Sequence, residues 1–162
     1  MSGVVVRPVS WADPSAVALR DAMDAELRRR CVDRLARARP AGEARLESLE
    51  VEAEHIAWVG VAYAEDGMAI GHGALRRVED ALELKRMYIR PEYRGTGAAR
   101  MLLTALEDAA GSLGATRIIL QTGDRQPEAV RLYERAGYAR IPVFPPYEWM
   151  SFAICMEKAI PN

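Results

Sequence analysis

The chain has 162 residues, half of them hydrophobic and 28% charged, with 22 basic and 23 acidic side chains for a net charge of −1. Length near the usual domain size argues for one domain over 1–162 with its own core, and the composition excludes wholesale disorder, a collagen-like repeat and a disulfide scaffold. The balanced charge gives no general positive field for nucleic acid or an anionic membrane, so neither is an expected partner. Cys31 and Cys155 lie far apart, with no metal-ligand spacing and no CxxC pair, so no metal is expected. Only three valines precede Arg7 and Pro8, too few for a signal-peptide core, and no apolar run approaches a membrane span. A cytoplasmic location is the expectation.

Residues 4–9, VVVRPV, read as a first strand. Asp13-Pro14 is a helix start, and Leu19, Met23, Leu27, Cys31 and Leu35 recur on one helical face that ends before Pro40. Cys31 is expected in the core. Arginines 28, 29, 30, 34, 37 and 39 make a solvated basic face on this helix. A weaker helical stretch covers about 43–52. IAWVGVAY (56–63), MAIGHGALRRV (68–78) and ALELKRMYI (81–89) form a strand meander, with Glu65-Asp66-Gly67 as a hairpin turn. A helix over 98–113 is closed by Gly114, TRIILQT (116–122) is a strand, and 126–136 is a second helix ended by Gly137. IPVF and WMSFAICMEKAI supply two last strands, the second holding Cys155 as an inert buried thiol. The order is α/β with a mixed sheet, a meander followed by β-α-β crossovers.

The stretch ELKRMYIRPEYRGTGAARMLL (83–103) carries the chemistry. A strand enters a loop, Arg94-Gly95-Thr96-Gly97-Ala98-Ala99, that opens a helix. Glycines let the backbone approach a ligand closely, and the first N–H groups of the helix point at it with the dipole behind them. That is a cradle for a diphosphate, to which Arg94 and Arg100 add charge-assisted hydrogen bonds. A Walker loop would need Gly-Lys-Ser/Thr where Gly97-Ala98-Ala99 stands, which disfavours a nucleotide triphosphatase. A dinucleotide fingerprint would need a third glycine where Arg100 stands, which disfavours NAD or FAD.

The loop resembles motif A of the GNAT N-acetyltransferase superfamily, Arg/Gln-x-x-Gly-x-Gly/Ala, with Arg94, Gly97 and Ala99 in its places. QTGDRQPEAVRLYERAGYARI (121–141) is similar to the family's motif B. The resemblance covers about 56–158 and is strongest over 83–141; residues 4–55 would be the variable strand and helices, 56–97 the meander and loop, and 98–162 the closing segment. It implies the GNAT acyl-CoA N-acyltransferase fold, a mostly antiparallel mixed sheet of about seven strands flanked by helices. A splayed parallel pair, 81–89 and 116–122, would form the cleft for acetyl-CoA.

The implied activity is transfer of an acetyl group to the primary amine of a small molecule or peptide, by direct attack in a ternary complex. The loop residues Arg94, Gly95, Thr96, Gly97, Ala98, Ala99 and Arg100 would hold the diphosphate. Met87, Tyr88 and Ile89 would pair with the pantetheine arm, the Met87 N–H polarising the thioester carbonyl. Tyr133 would protonate the leaving thiolate, and Glu83 would be the base, directly or through a water. Tyr138 is expected in the core, Glu148 and Asp124 are fallback bases, and His72 is a weaker one. Tyr147, in FPPYEW, either lines the acceptor pocket or packs the hairpin. Many members carry Asn where Gln126-Pro127 stands here, so the Gln126 amide would have to replace its contact with CoA. The acceptor pocket would come from 14–52 and 142–150, which vary most in such folds, and a homodimer is common among members. The rival reading from another class is a non-catalytic acyl-CoA sensor or interaction domain of the same fold.

Overall fold

The computed structural model describes residues 3–38 and 51–161. The helix expected over about 43–52 lies mostly outside them, as does Arg39. Strand β1 is Val5–Pro8, helix α1 Pro14–Ala38, β2 Ile56–Tyr63, β3 Ala69–Val78 and β4 Ala81–Ile89. Helix α2 is Ala98–Ser112, β5 Arg117–Gly123, α3 Pro127–Arg135, β6 Ala139–Ile141 and β7 Ala153–Ala159. Asp13 caps α1 through Oδ2, which accepts from the Ala16 N–H at 3.1 Å. The helix is kinked at Cys31 (φ −119°, ψ 15°), which leaves that side chain half-buried rather than in the core. The penultimate strand is Ala139–Ile141 and not IPVF, because Pro142 has no N–H to donate to a ladder.

One seven-stranded sheet runs β1-β2-β3-β4-β5-β7-β6, and every pairing is antiparallel except β4 with β5. Alternation sorts the side chains of each strand between two faces. On one face Leu82, Leu84, Ile118, Leu120 and Met156 pack with Leu102, Leu103 and Leu106 of α2 and Tyr133 and Ala136 at α3. The opposite face has two separate covers. Ala16 and Leu19 of α1 pack on Val59, Val61, Ala74 and Tyr88, whereas Tyr147 and Met150 pack on Cys155. The seam between these covers runs over β4.

Two irregularities in β4 shape the middle of the sheet. Its parallel ladder with β5 has three pairs, from Leu82–Ile118 to Leu84–Leu120, although the strands continue to Ile89 and Gly123. Beyond Leu84 each strand follows its outer partner instead, β4 to Gly71↔Ile89 and β5 to Gly123↔Ala153. The second is a bulge. Ala74 pairs with Lys85 and His72 with Tyr88, so Gly73 alone faces Arg86 and Met87. Arg86 takes φ +58°, which turns the rest of β4 so that Met87 and Ile89 return to the α2 face and Tyr88 to the α1 face.

Gly73 must stay small, since a Cβ there would lie 2.6 Å from Cδ1 of the fully buried Leu106. Gly73→Ala is expected to destabilise the fold by about 1–3 kcal/mol, the usual cost of overpacking. Chemical denaturation checks this, and an unchanged midpoint would show that α2 yields at no cost.

Candidate active site

The loop 94–99 has the backbone that its glycines predict. Gly95 (φ +76°) and Gly97 (φ +90°) both sit in the left-handed region, where a side chain would be strained. Gly97 caps α2, and its carbonyl accepts the Met101 N–H at 3.1 Å. The N–H groups of Ala98, Ala99 and Arg100 therefore precede the first intrahelical bond and face outward. Thr96 Oγ1 donates to the Tyr93 carbonyl at 2.5 Å, which fixes the loop, and Arg100 is exposed beside it. Arg94 is held by its Nε–H on the Ile89 carbonyl at 2.9 Å. Its Nη2 also meets both Glu26 carboxylate oxygens at 2.9 Å. No local pattern points to Glu26, which lies 68 residues from Arg94 and reaches it from α1.

Helix α1 also bridges to the other bank of the splay. Arg30 pairs with Glu128 in the first turn of α3, and Arg125 pairs with Asp33. Of the basic face, Arg28 and Arg29 are solvated as expected, while Arg30 is spent on this bridge. The Gln126 amide lies over Gly123 at the end of β5, next to the splay.

Glu83 is 1% exposed and stands in the seam. A buried carboxylate needs charge and hydrogen-bond partners, and three residues supply them. Arg76, its register partner on β3, pairs with Oε1. The Tyr147 hydroxyl donates to Oε2 at 2.5 Å, and Lys85 Nζ lies 3.8 Å from the same oxygen. Lys85 in turn donates to the Tyr147 hydroxyl at 2.6 Å. The result is a chain, Lys85 to Tyr147 to Glu83, with Arg76 on the far side. Arg76 and Lys85 are its partly open ends, with side chains 16% and 13% exposed. Burial pushes the Lys85 ammonium down to about 8, partly opposed by Glu83. Burial, reinforced by Glu83, pushes the Tyr147 phenol up, so it stays protonated as a donor. The Tyr147 ring packs on Phe144, while its hydroxyl reaches Glu83. Arg76 was missed by sequence reasoning but was legible: counting back from the Glu79-Asp80 turn places it opposite Glu83.

Tyr133 faces the α2 side of the sheet, 5% exposed, against Tyr138 with ring centroids 5.6 Å apart. Burial raises its phenol. Tyr138 is buried as expected and donates to Glu107 at 3.0 Å. Cys155 is buried, and that burial pushes its thiol up, as suits an inert residue. Glu148 and Asp124 are exposed and do not enter the Glu83 chain.

His72 is not a base. It is fully buried, with Nδ1 2.9 Å from the Arg86 carbonyl and Nε2 2.9 Å from Arg20 Nη1. A carbonyl only accepts, so Nδ1 carries the proton, and the Nε2 lone pair is taken by the guanidinium. Arg20 is itself stacked 3.6 Å from the Trp11 ring centroid. Burial, with the two arginines, pushes His72 down to about 4.

The sequence profile of the acetyltransferase (GNAT) family matches residues 19–138, and the chain belongs to that family. It is 36% identical over 78 residues to an IAA acetyltransferase of Azospirillum brasilense, covering 48% of this chain and 51% of that protein. It is 34% identical over 91 residues to the uncharacterised N-acetyltransferase YjgM of Escherichia coli, covering 54% and 53%. The chain thus spans about half the length of the curated relatives it matches. Among solved structures, a Klebsiella pneumoniae protein provisionally assigned as an acyl-CoA N-acyltransferase superposes with a TM-score of 0.76 at 27% identity, covering 97% of both chains. A Bacillus anthracis protein provisionally assigned as a streptothricin acetyltransferase, in complex with acetyl coenzyme A, gives 0.59 at 19% identity over 69% of both, and shares the fold.

The His72 contacts predict a pH dependence. Its folded value lies below the unfolded value of about 6.5, so the unfolded chain takes up the proton first. The stability at stake is present above about pH 6.5 and is lost as pH falls toward 4, by up to about 3 kcal/mol. Denaturation at several pH values should show this slope in the wild type and a shallower one in His72→Gln. Equal slopes would refute it.

Proposed function

We propose that this protein is an acyl-CoA-dependent N-acyltransferase that moves an acetyl group from acetyl-CoA to a primary amine in a ternary complex. The observation that carries the reading is the early end of the β4–β5 ladder on the strand that leads into the Gly95–Gly97 cradle. An extended arm fits along the open β4 edge while its diphosphate meets the first N–H groups of α2. The residues fit such a ligand, with one requirement: the diphosphate must displace Glu26 from Arg94 or share that guanidinium with it. Gly95, Thr96, Gly97, Ala98, Ala99, Arg94 and Arg100 hold the diphosphate, and Gln126 lies across the splay.

Met87, Tyr88 and Ile89 pair with the pantetheine arm. The Met87 N–H, freed from the regular ladder by the bulge, donates to the thioester oxygen as charge develops there. The acceptor enters through the seam over β4, where it must lose a proton before its lone pair can attack. Lys85 is the outward end of the chain that receives that proton, and Glu83 fixes the chain through Tyr147. Tyr133, with its phenol held protonated, donates to the departing thiolate. Direct attack on a thioester requires neither a metal nor an acyl-enzyme. Two free thiols suit a reducing compartment, and we place the protein in the cytoplasm. Among the described residues no helix is long and apolar enough to cross a membrane.

A thermal-shift titration with acetyl-CoA, CoA, ATP and NADH tests donor binding. Acetyl-CoA at ~100 times its Kd should stabilise by about 2.7 kcal/mol, which is roughly 5–11 °C for a domain of this size. ATP and NADH should give no comparable shift, and a flat response to both CoA species would overturn the reading. Tyr133→Phe should lower kcat about tenfold or more while leaving acetyl-CoA affinity unchanged. Equal kcat, with chemistry rate-limiting, would remove Tyr133 from the acid role.

A further inference from the structure

The chain uses arginine for almost every positive charge: it carries 20 arginines and only two lysines, Lys85 and Lys158. A guanidinium stays protonated and is a poor acyl acceptor, whereas an amine with its proton removed is a good one. Lys158 lies at the far end of β7, ion-paired to Glu107 at 3.0 Å beside the Tyr138 ring. Lys85 is the first β4 residue past the last β5 pair, two positions before Met87. It shares with Glu83 the face of β4 that lines the seam, through which an acceptor amine approaches.

We infer that Lys85 is a self-acetylation site, its amine taking the acetyl group in cis when donor is bound and no acceptor fills the seam. The inference rests on the donor-binding reading above. In the step, the Lys85 Nζ lone pair attacks the thioester carbonyl carbon. The C–N bond forms, the C–S bond breaks, and the CoA thiolate leaves and takes up the proton lost from Nζ. No oxidant or further reactant is needed.

Three features favour it. The cluster holds two cations, Arg76 and Lys85, against the one carboxylate of Glu83, so amide formation removes an excess buried charge. The amide keeps an N–H that can still donate to the Tyr147 hydroxyl. Burial leaves roughly half of Lys85 neutral near pH 8, against under about 1% for an ordinary lysine. Acetylation would fill the seam and block the acceptor, which makes it a readout of donor excess.

The test is intact-mass and peptide-mapping spectrometry after incubation with acetyl-CoA alone, with thermal shift run in parallel. The expected result is one added acetyl group at Lys85, formed at least about tenfold faster than any at Lys158 and suppressed by excess CoA. Lys85→Arg should abolish the adduct while retaining the acetyl-CoA thermal shift. A clear thermal shift without a Lys85 adduct overturns this proposal and leaves donor binding standing. So does equal labelling of Lys85 and Lys158, or labelling that excess CoA leaves unchanged. No thermal shift overturns donor binding and this proposal together.

Discussion

The bulge in β4 depends on a part-buried hydrogen bond, from His72 Nδ1 to the carbonyl of Arg86 at 2.9 Å. Arg86 occupies a left-handed backbone conformation that costs a non-glycine residue on the order of 1–3 kcal/mol. Surrounding contacts must hold it there. His72 fixes the carbonyl, Arg20 fixes His72, and Trp11 holds Arg20 by its ring and its carbonyl, the latter at 2.5 Å. Asp24 takes the Arg86 side chain at 2.6 Å. Arg20 and Asp24 lie on α1 and Trp11 on the turn before it, so the segment that covers the sheet also holds the bulge. Without the bulge, Met87 would fall on the α1 face, and the cleft would lose the N–H that the donor reading requires.

The second constraint is electrostatic. Glu83 is a charged group with almost no solvent, tolerated because Arg76, Tyr147 and Lys85 surround it. A buried ion cluster of this kind adds little net stability, since desolvation offsets most of the attraction. It places the hydrogen-bonded chain from Lys85 through Tyr147 to Glu83 in a gap between two apolar covers. The gap exists because α1 covers β2–β4 and the 142–152 segment covers β7, and neither covers all of β4. On the rim above, Glu26 and Arg30 of α1 tie the cradle to α3.

Most of the architecture was legible from pattern alone. β2 and β4 match their predicted spans because their β-branched and aromatic runs are bounded by unmistakable turns. The cradle was legible because Gly95 and Gly97 stand at positions that demand positive φ. What the sequence hid depends on distance in space. IPVF has strand composition, but Pro142 cannot pair, so the ladder ends at Ile141. His72 reads as a candidate base until Arg20, 52 residues away, is seen to occupy its lone pair. Glu26 on Arg94 joins residues 68 apart, and no local pattern signals it. Tyr147 on Glu83 is hidden for the same reason, across 64 residues.

In the proposed function, the β4 edge beyond Leu84, which has no β5 partner, receives the donor as an added half-strand. Hydrogen–deuterium exchange with and without acetyl-CoA distinguishes this from donor binding elsewhere. New protection is expected at the amides of Met87–Ile89 and at Gly97–Arg100, with little change in β1 or β2. Donor binding that leaves the exchange of Met87–Ile89 unaltered would contradict it.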